Sequence, residues 1–170
     1  NIDKIVAAMT LEEKANIVVG MSRSLTDAET ANIGYTKKIV PGAAGTTYPI
    51  PRLGVTPMVF ADGPAGVRIS TTRKGVDGKF YCTGFPVGTL LSSTWNDALV
   101  EIVGNALGEE AKEYGVDVLL APGLNIMRNP LCGRNFEYYS EDPLLTGKIA
   151  AAYVRGVQSE GVGTSIKPVS

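Results

Sequence analysis

Histidine is absent from the 170 residues. That excludes an imidazole general base, a His-ligated metal and a Ser-His-Asp triad, so any acid or base within the chain must be Asp, Glu, Lys or Tyr. Cysteine is scarce. Cys82 and Cys132 stand far apart without a CxxC spacing, which argues against a structural zinc site and gives no ground for a disulfide. An excess of either charge is missing too: 16 basic side chains face 17 acidic ones, so no electrostatic field recruits nucleic acid or anionic lipid. No apolar run approaches the roughly 20 residues of a membrane-spanning helix, and no basic-then-apolar leader opens the chain. The chain starts at Asn1 rather than Met, which implies processing or trimming and leaves the compartment open. What is present, 44% hydrophobic and 19% charged residues, is the composition of about one soluble globular domain.

Periodicity supplies the elements. Ile2, Ile5, Val6 and Met9 recur at helical spacing, and Thr10 with Glu13 forms a capping-box pattern opening a helix from Leu11 to about Val19, stopped by Gly20. From Gly20 to Pro57 glycine and proline punctuate a long excursion without strong periodicity. Met58-Val59-Phe60 reads as a strand, and the apolar run Phe85 to Leu91 as a second. Thr94 or Asn96 caps the longest helix, in which Leu99, Ile102, Val103, Ala106, Leu107, Ala111 and Tyr114 form one stripe. Gly115 ends it, and Val116 to Ala121 reads as a strand buried on both faces. Asp142 and Pro143 fit the N-cap and first residue of a helix running to about Glu160, and Gly163 to Ile166 reads as a strand delivering Lys167. Alternating strands and helices indicate α/β architecture built from βαβ units on a parallel sheet of about four strands. Local physics leaves two fold classes open, a doubly wound sheet and half of an eight-stranded barrel.

The polar centre of the chain is the loop from Arg128 to Pro143, which holds Arg128, Arg134, Glu137, Glu141, Asp142, Tyr138 and Tyr139 between a strand and a helix. Asp62 stands where an apolar strand meets Gly63-Pro64, at the edge where parallel α/β folds collect ligand-binding groups. A lone Asp-Gly more often caps its own turn, and Arg68 alone would be a surface charge. If the strands are neighbours, Asp62, Arg134 and Lys167 share one rim. Carboxylate, guanidinium and ammonium groups around one cavity suit a neutral polyol, each charge-assisted hydrogen bond contributing roughly 1.5 to 3 kcal/mol when shielded. Glu137, Glu141 and Asp142 could be a catalytic pair but fit capping and ion-pair roles better. Arg128 is expected to brace the loop, Tyr138 and Tyr139 to pack, and Trp95 to join the core.

Three blocks resemble the N-terminal barrel domain of glycoside hydrolase family 3, in its β-glucosidase branch: Met9-Thr10-Leu11-Glu12-Glu13-Lys14, Asp62-Gly63-Pro64-Ala65-Gly66-Val67-Arg68, and Gly133-Arg134-Asn135-Phe136-Glu137-Tyr138-Tyr139-Ser140-Glu141-Asp142-Pro143 with Leu145-Thr146-Gly147. The resemblance runs to Lys167. It implies an α/β fold that is the N-terminal portion, about half, of a (β/α)8 TIM-like barrel, with residues 1–170 as part of that domain. It further implies a retaining β-glucosidase acting on terminal non-reducing β-D-glucosyl residues of β-glucosides or short gluco-oligosaccharides, with Asp62, Arg68, Arg134 and Lys167 contacting ring hydroxyls. The family's nucleophile lies on a later strand and its acid/base in a following domain, so no catalytic carboxyl is expected in these residues, and no metal or cofactor is implied. The remainder of the barrel and the second domain are the expected partners, nucleic acid and membrane are not, and a homo-oligomer is compatible. Family sequences usually continue the last strand as Lys-His-Phe, whereas Lys167 is followed by Pro168, which lacks even a backbone N–H. An inactive sugar-binding or assembly fragment is the alternative outside the family's activity. Within the family, β-N-acetylhexosaminidase and β-xylosidase are the alternatives, and the two longer blocks fit the N-acetylhexosaminidase branch less well.

Overall fold

A computed structural model describes residues 1–22, 39–73 and 75–167. Lys74 and Pro168, the latter at the family's histidine position, lie outside the described residues, as does much of the Gly20 to Pro57 excursion. The chain opens with α1 (Ile2–Ala8) and α2 (Leu11–Val19). Asn1 caps α1 through the Asp3 N–H at 2.9 Å. At α2 the expected box is complete: the Glu13 N–H donates to Thr10 Oγ1 at 3.2 Å and the Thr10 N–H to Glu13 Oε2 at 2.8 Å. Neither helix has a fully buried residue, and a polar contact ties both to the following turn. Arg52, in the 3-10 turn Pro51–Leu53, grips the Glu13 carboxylate and donates to the Ala8 carbonyl at 2.8 Å. That hydrogen-bonded guanidinium and the Thr10 N–H hold the Glu13 carboxyl down at about 2.

Five strands form one sheet in chain order: β1 (Met21–Ser22), β2 (Gly45–Thr46), β3 (Val59–Asp62), β4 (Val118–Leu120) and β5 (Gly163–Thr164). β3, β4 and β5 are parallel, with Asp62 opposite Leu120 and Leu119 opposite Thr164. β1 and β2 are antiparallel additions, so the sheet is mixed rather than wholly parallel. At two residues each they are too short to carry a period-2 pattern, which is why the sequence shows only an excursion there.

The apolar run Phe85 to Leu91 is not a strand; it leads into a short helix, α3 (Gly88–Ser92). Its hydroxyls explain the choice: Thr89 Oγ1 donates to the Tyr138 carbonyl at 2.9 Å and Ser92 Oγ to that of Tyr139, so the segment docks on the central loop. α4 (Asp97–Glu113) and α5 (Pro143–Ser159) start at the expected caps. Asn96 accepts from the Leu99 N–H at 3.0 Å, and Asp142 from those of Leu144 and Leu145 at 2.7 and 3.1 Å.

The buried face of α4 differs from the expected stripe. It comprises Val100, Gly104, Leu107, Gly108 and Ala111, whereas Leu99 and Ile102 are exposed. Glycine decides this rotation: a Cβ at Gly156 of α5 would lie 2.1 Å from the Glu101 carbonyl oxygen, so the two backbones touch there. β4 buries Leu119 fully but leaves Val118 and Leu120 half-buried, so only one of its faces is sealed; the core lies between that face and the two long helices.

Candidate functional site

β3 ends at Asp62, and the chain reverses through Gly63-Pro64-Ala65-Gly66 so that the Arg68 N–H donates to the Asp62 carbonyl at 2.8 Å. Only glycine fits the first step: Gly63 has φ 150°, and a Cβ there would lie 1.9 Å from the Gly66 carbonyl oxygen. This tight loop returns Arg68 to the strand end that carries Asp62. Lys167 arrives from the other side. Its N–H donates to the Pro122 carbonyl at 3.1 Å and its carbonyl accepts from the Leu124 N–H at 3.2 Å, in parallel register with Gly123 just beyond β4.

The result is one carboxylate between two cations. Lys167 Nζ donates to Asp62 Oδ1, and Arg68 Nη1 lies 3.8 Å from Asp62 Oδ2. Among the described residues Asp62 does not serve as the turn cap its Asp-Gly sequence suggests; its carboxylate partners there are these two side chains. Lys167 and Asp62 are half-buried and Arg68 is exposed. Beside them opens a cavity of about 410 Å³, lined among others by Asp62, Arg68, Cys82, Thr83, Val87 and Phe136. Neither Arg134 nor Lys167 lines it.

Arg134 is tied elsewhere. Its Nε donates to Glu137 Oε1, and that bond, more than the distant Asp62 charge, pushes the guanidinium further up from its ordinary range. Glu137 is therefore an ion-pair group, as its setting before a helix suggests, while Asp142 caps α5 and Glu141 is exposed. Tyr138 and Tyr139 are buried, and burial raises the Tyr139 phenol well above its usual range. Trp95 contradicts expectation. It is 76% exposed with φ 52°, because its N–H closes the turn after α3 onto the Ser92 carbonyl at 3.1 Å and the left-handed backbone turns the indole away from the core. Cys82 and Thr83 on the cavity wall carried no sequence signal. They are placed from α4, where the Glu110 carboxylate accepts the Thr83 N–H at 2.8 Å, and burial pushes the Cys82 thiol up.

Residues 60–168, from β3 past Lys167, match the model of the glycosyl hydrolase family 3 N terminal domain. The chain belongs to glycosyl hydrolase family 3. Among its relatives, thermostable beta-glucosidase B of Acetivibrio thermocellus is 41% identical over 170 residues, covering 98% of this chain and 20% of that protein. The exo-alpha-(1->6)-L-arabinopyranosidase of Bifidobacterium longum is 40% identical over 163 residues, covering 94% of this chain and 19% of that protein. The solved structure of beta-glucosidase 3B from Thermotoga neapolitana in complex with alpha-D-glucose superposes with a TM-score of 0.87 at 54% identity, covering 98% of this chain and 22% of that one. The family 3 chain described here thus spans about a fifth of the length of these relatives.

Proposed function

We propose that this segment is the N-terminal portion of a family 3 barrel domain and supplies part of the glucosyl-holding subsite of a retaining β-glucosidase. The observation that carries the reading is Asp62 held between Lys167 and Arg68 at the carboxyl ends of parallel strands, beside a cavity of about 410 Å³. An ionised carboxylate only accepts hydrogen bonds, and ammonium and guanidinium groups only donate. A sugar hydroxyl does both, so adjacent ring hydroxyls can donate to Asp62 while accepting from Lys167, Arg68 and Arg134. The lysine and arginine also keep the acceptor oriented before the sugar arrives, which limits the ordering cost of binding.

In the retaining mechanism an Asp attacks the anomeric carbon while a carboxylic acid protonates the departing glycosidic oxygen. Water then attacks the glycosyl-enzyme with that second group acting as base, restoring the β configuration. Both carboxyls belong to the remainder of the barrel and to a following domain in this reading. The residues of this chain bind and orient the ring.

The test is made in the full-length protein that carries this segment. Asp62→Ala and Arg134→Ala should each lower kcat/KM on an aryl β-glucoside at least about tenfold, equivalent to about 1.4 kcal/mol of transition-state stabilisation. Unchanged kinetics in both variants would overturn the assignment. The similarity to an exo-alpha-(1->6)-L-arabinopyranosidase favours a second reading in which the ring held is an arabinopyranose. Aryl β-D-glucoside and aryl α-L-arabinopyranoside assayed side by side separate the two by their kcat/KM ratio.

A further inference from the structure

Glu137 is the least exposed acid of the central loop: its side chain is 8% exposed, whereas that of its partner Arg134 is 47% exposed. A buried carboxylate is costly unless paired, so the position of this one is set by what it touches. Oε1 accepts from Arg134 Nε. On its other side, a Cβ at Gly123 would lie 3.1 Å from both Glu137 Cγ and Oε2, so the carboxylate rests against the Gly123 backbone. Gly123 is the residue in register with Lys167, which in turn holds Asp62. The carboxylate accepts from the Nε–H, so the donors of this guanidinium that Glu137 does not use are its terminal amino groups. Behind it the segment is clamped, since α3 donates hydroxyls to the carbonyls of Tyr138 and Tyr139.

We infer that Glu137 is a positioning residue, its buried carboxylate braced on Gly123 and fixing the orientation in which the Arg134 guanidinium is presented to the sugar. The inference rests on Arg134 being a sugar ligand, as proposed above. Glu137 itself touches no substrate; removing it frees the guanidinium to swing about its stem. Gly123 belongs to the same device, because a methyl group there would displace the carboxylate, and the Glu137 carbonyl oxygen 3.2 Å from that Cβ position, by a few tenths of an ångström while leaving the charge in place.

A double-mutant cycle in the full-length protein tests this on an aryl β-glucoside, with glucose as competitive inhibitor. Glu137→Gln should lower kcat/KM about tenfold and weaken glucose inhibition in the wild-type background, yet change kcat/KM by less than about twofold when Arg134 is already Ala. Gly123→Ala should show the same dependence on Arg134, and it carries the comparison if Glu137→Gln does not fold. Equal losses in both backgrounds would overturn the inference. So would a lowered Tm with unchanged kcat/KM and glucose inhibition, the signature of a brace that only folds the loop. If Arg134→Ala alone leaves kcat/KM unchanged, the sugar-ligand reading of Arg134 falls first and the positioning role with it.

Discussion

The α4–α5 seam and the rim at the ends of β3 to β5 are built on opposite plans. In the seam, Val100, Leu107 and Ala111 meet Ile149, Tyr153 and Val157 with essentially no exposure, and glycines bring the backbones together. Its charges stand on the flanks: Arg155 bonds Glu101 at 2.9 Å and the Asn105 amide bonds Glu160 at 2.7 Å. At the rim the charges are central and partly exposed, and two of them, Asp62 and Arg68, line a cavity. Apolar burial stabilises without direction, whereas fixed charges beside open space cost desolvation and repay it only when a ligand completes their hydrogen bonds. In the proposed function the contrast assigns stability and ligand binding to different residues, so substitutions should divide into those that unfold and those that inactivate.

The largest effect is expected in the seam. Gly156→Leu forces a side chain into the Glu101 carbonyl and should destabilise the full-length protein by about 3 kcal/mol, read from its denaturation midpoint. kcat/KM per folded molecule should stay near wild type; a variant of full stability would break the contrast. At the rim, Lys167→Met should leave the midpoint nearly unchanged while lowering kcat/KM by about ten- to a hundredfold, since Asp62 loses its nearest cation and the sugar loses a donor. A large stability loss with intact kinetics would make the pair structural. On the seam's flank, Arg155→Ala should shift stability by no more than about 0.5 kcal/mol, because both partners of that pair are half-exposed.

Acid unfolding sharpens the contrast at its smallest scale. The Glu13 carboxyl is held at about 2 against an ordinary 4.5, so its pairing with Arg52 stabilises the native state above pH 4.5. That contribution fades as the pH falls toward 2, because the native carboxylate must then take up a proton. In Arg52→Met the stability difference from wild type should be greatest above pH 4.5 and vanish near pH 2, with kcat/KM at neutral pH within about twofold of wild type. A difference that grew toward low pH would contradict the sign.

Capping chemistry made the helix starts legible: Thr10 with Glu13, Asn96 and Asp142 each do in the structure what their side chains and spacing indicate. The Asp62 and Lys167 positions were legible for a related reason, since a charged residue at or just beyond the end of a strand lies at one end of the sheet whatever the wider topology. The apolar run before α3 was misread because four to seven apolar residues carry no period that separates strand from helix, and the deciding hydroxyl contacts come from a loop far along the chain. The stripe on α4 was rotated by glycines that no hydropathy pattern scores as buried. Glu137 reads in the sequence as one acid among three, although its spacing from Arg134 is the i,i+3 distance at which a pair can close within one 3-10 turn.

The central claim, that the Asp62 cluster holds a sugar ring, is tested most directly by a structure of the full-length protein with glucose bound. Ring hydroxyls within hydrogen-bond distance of the Asp62 carboxylate, and of Lys167, Arg68 and Arg134 donors, are the result predicted. Glucose seated elsewhere, with the Asp62–Lys167 pair intact and no ring oxygen in reach of either, would contradict it.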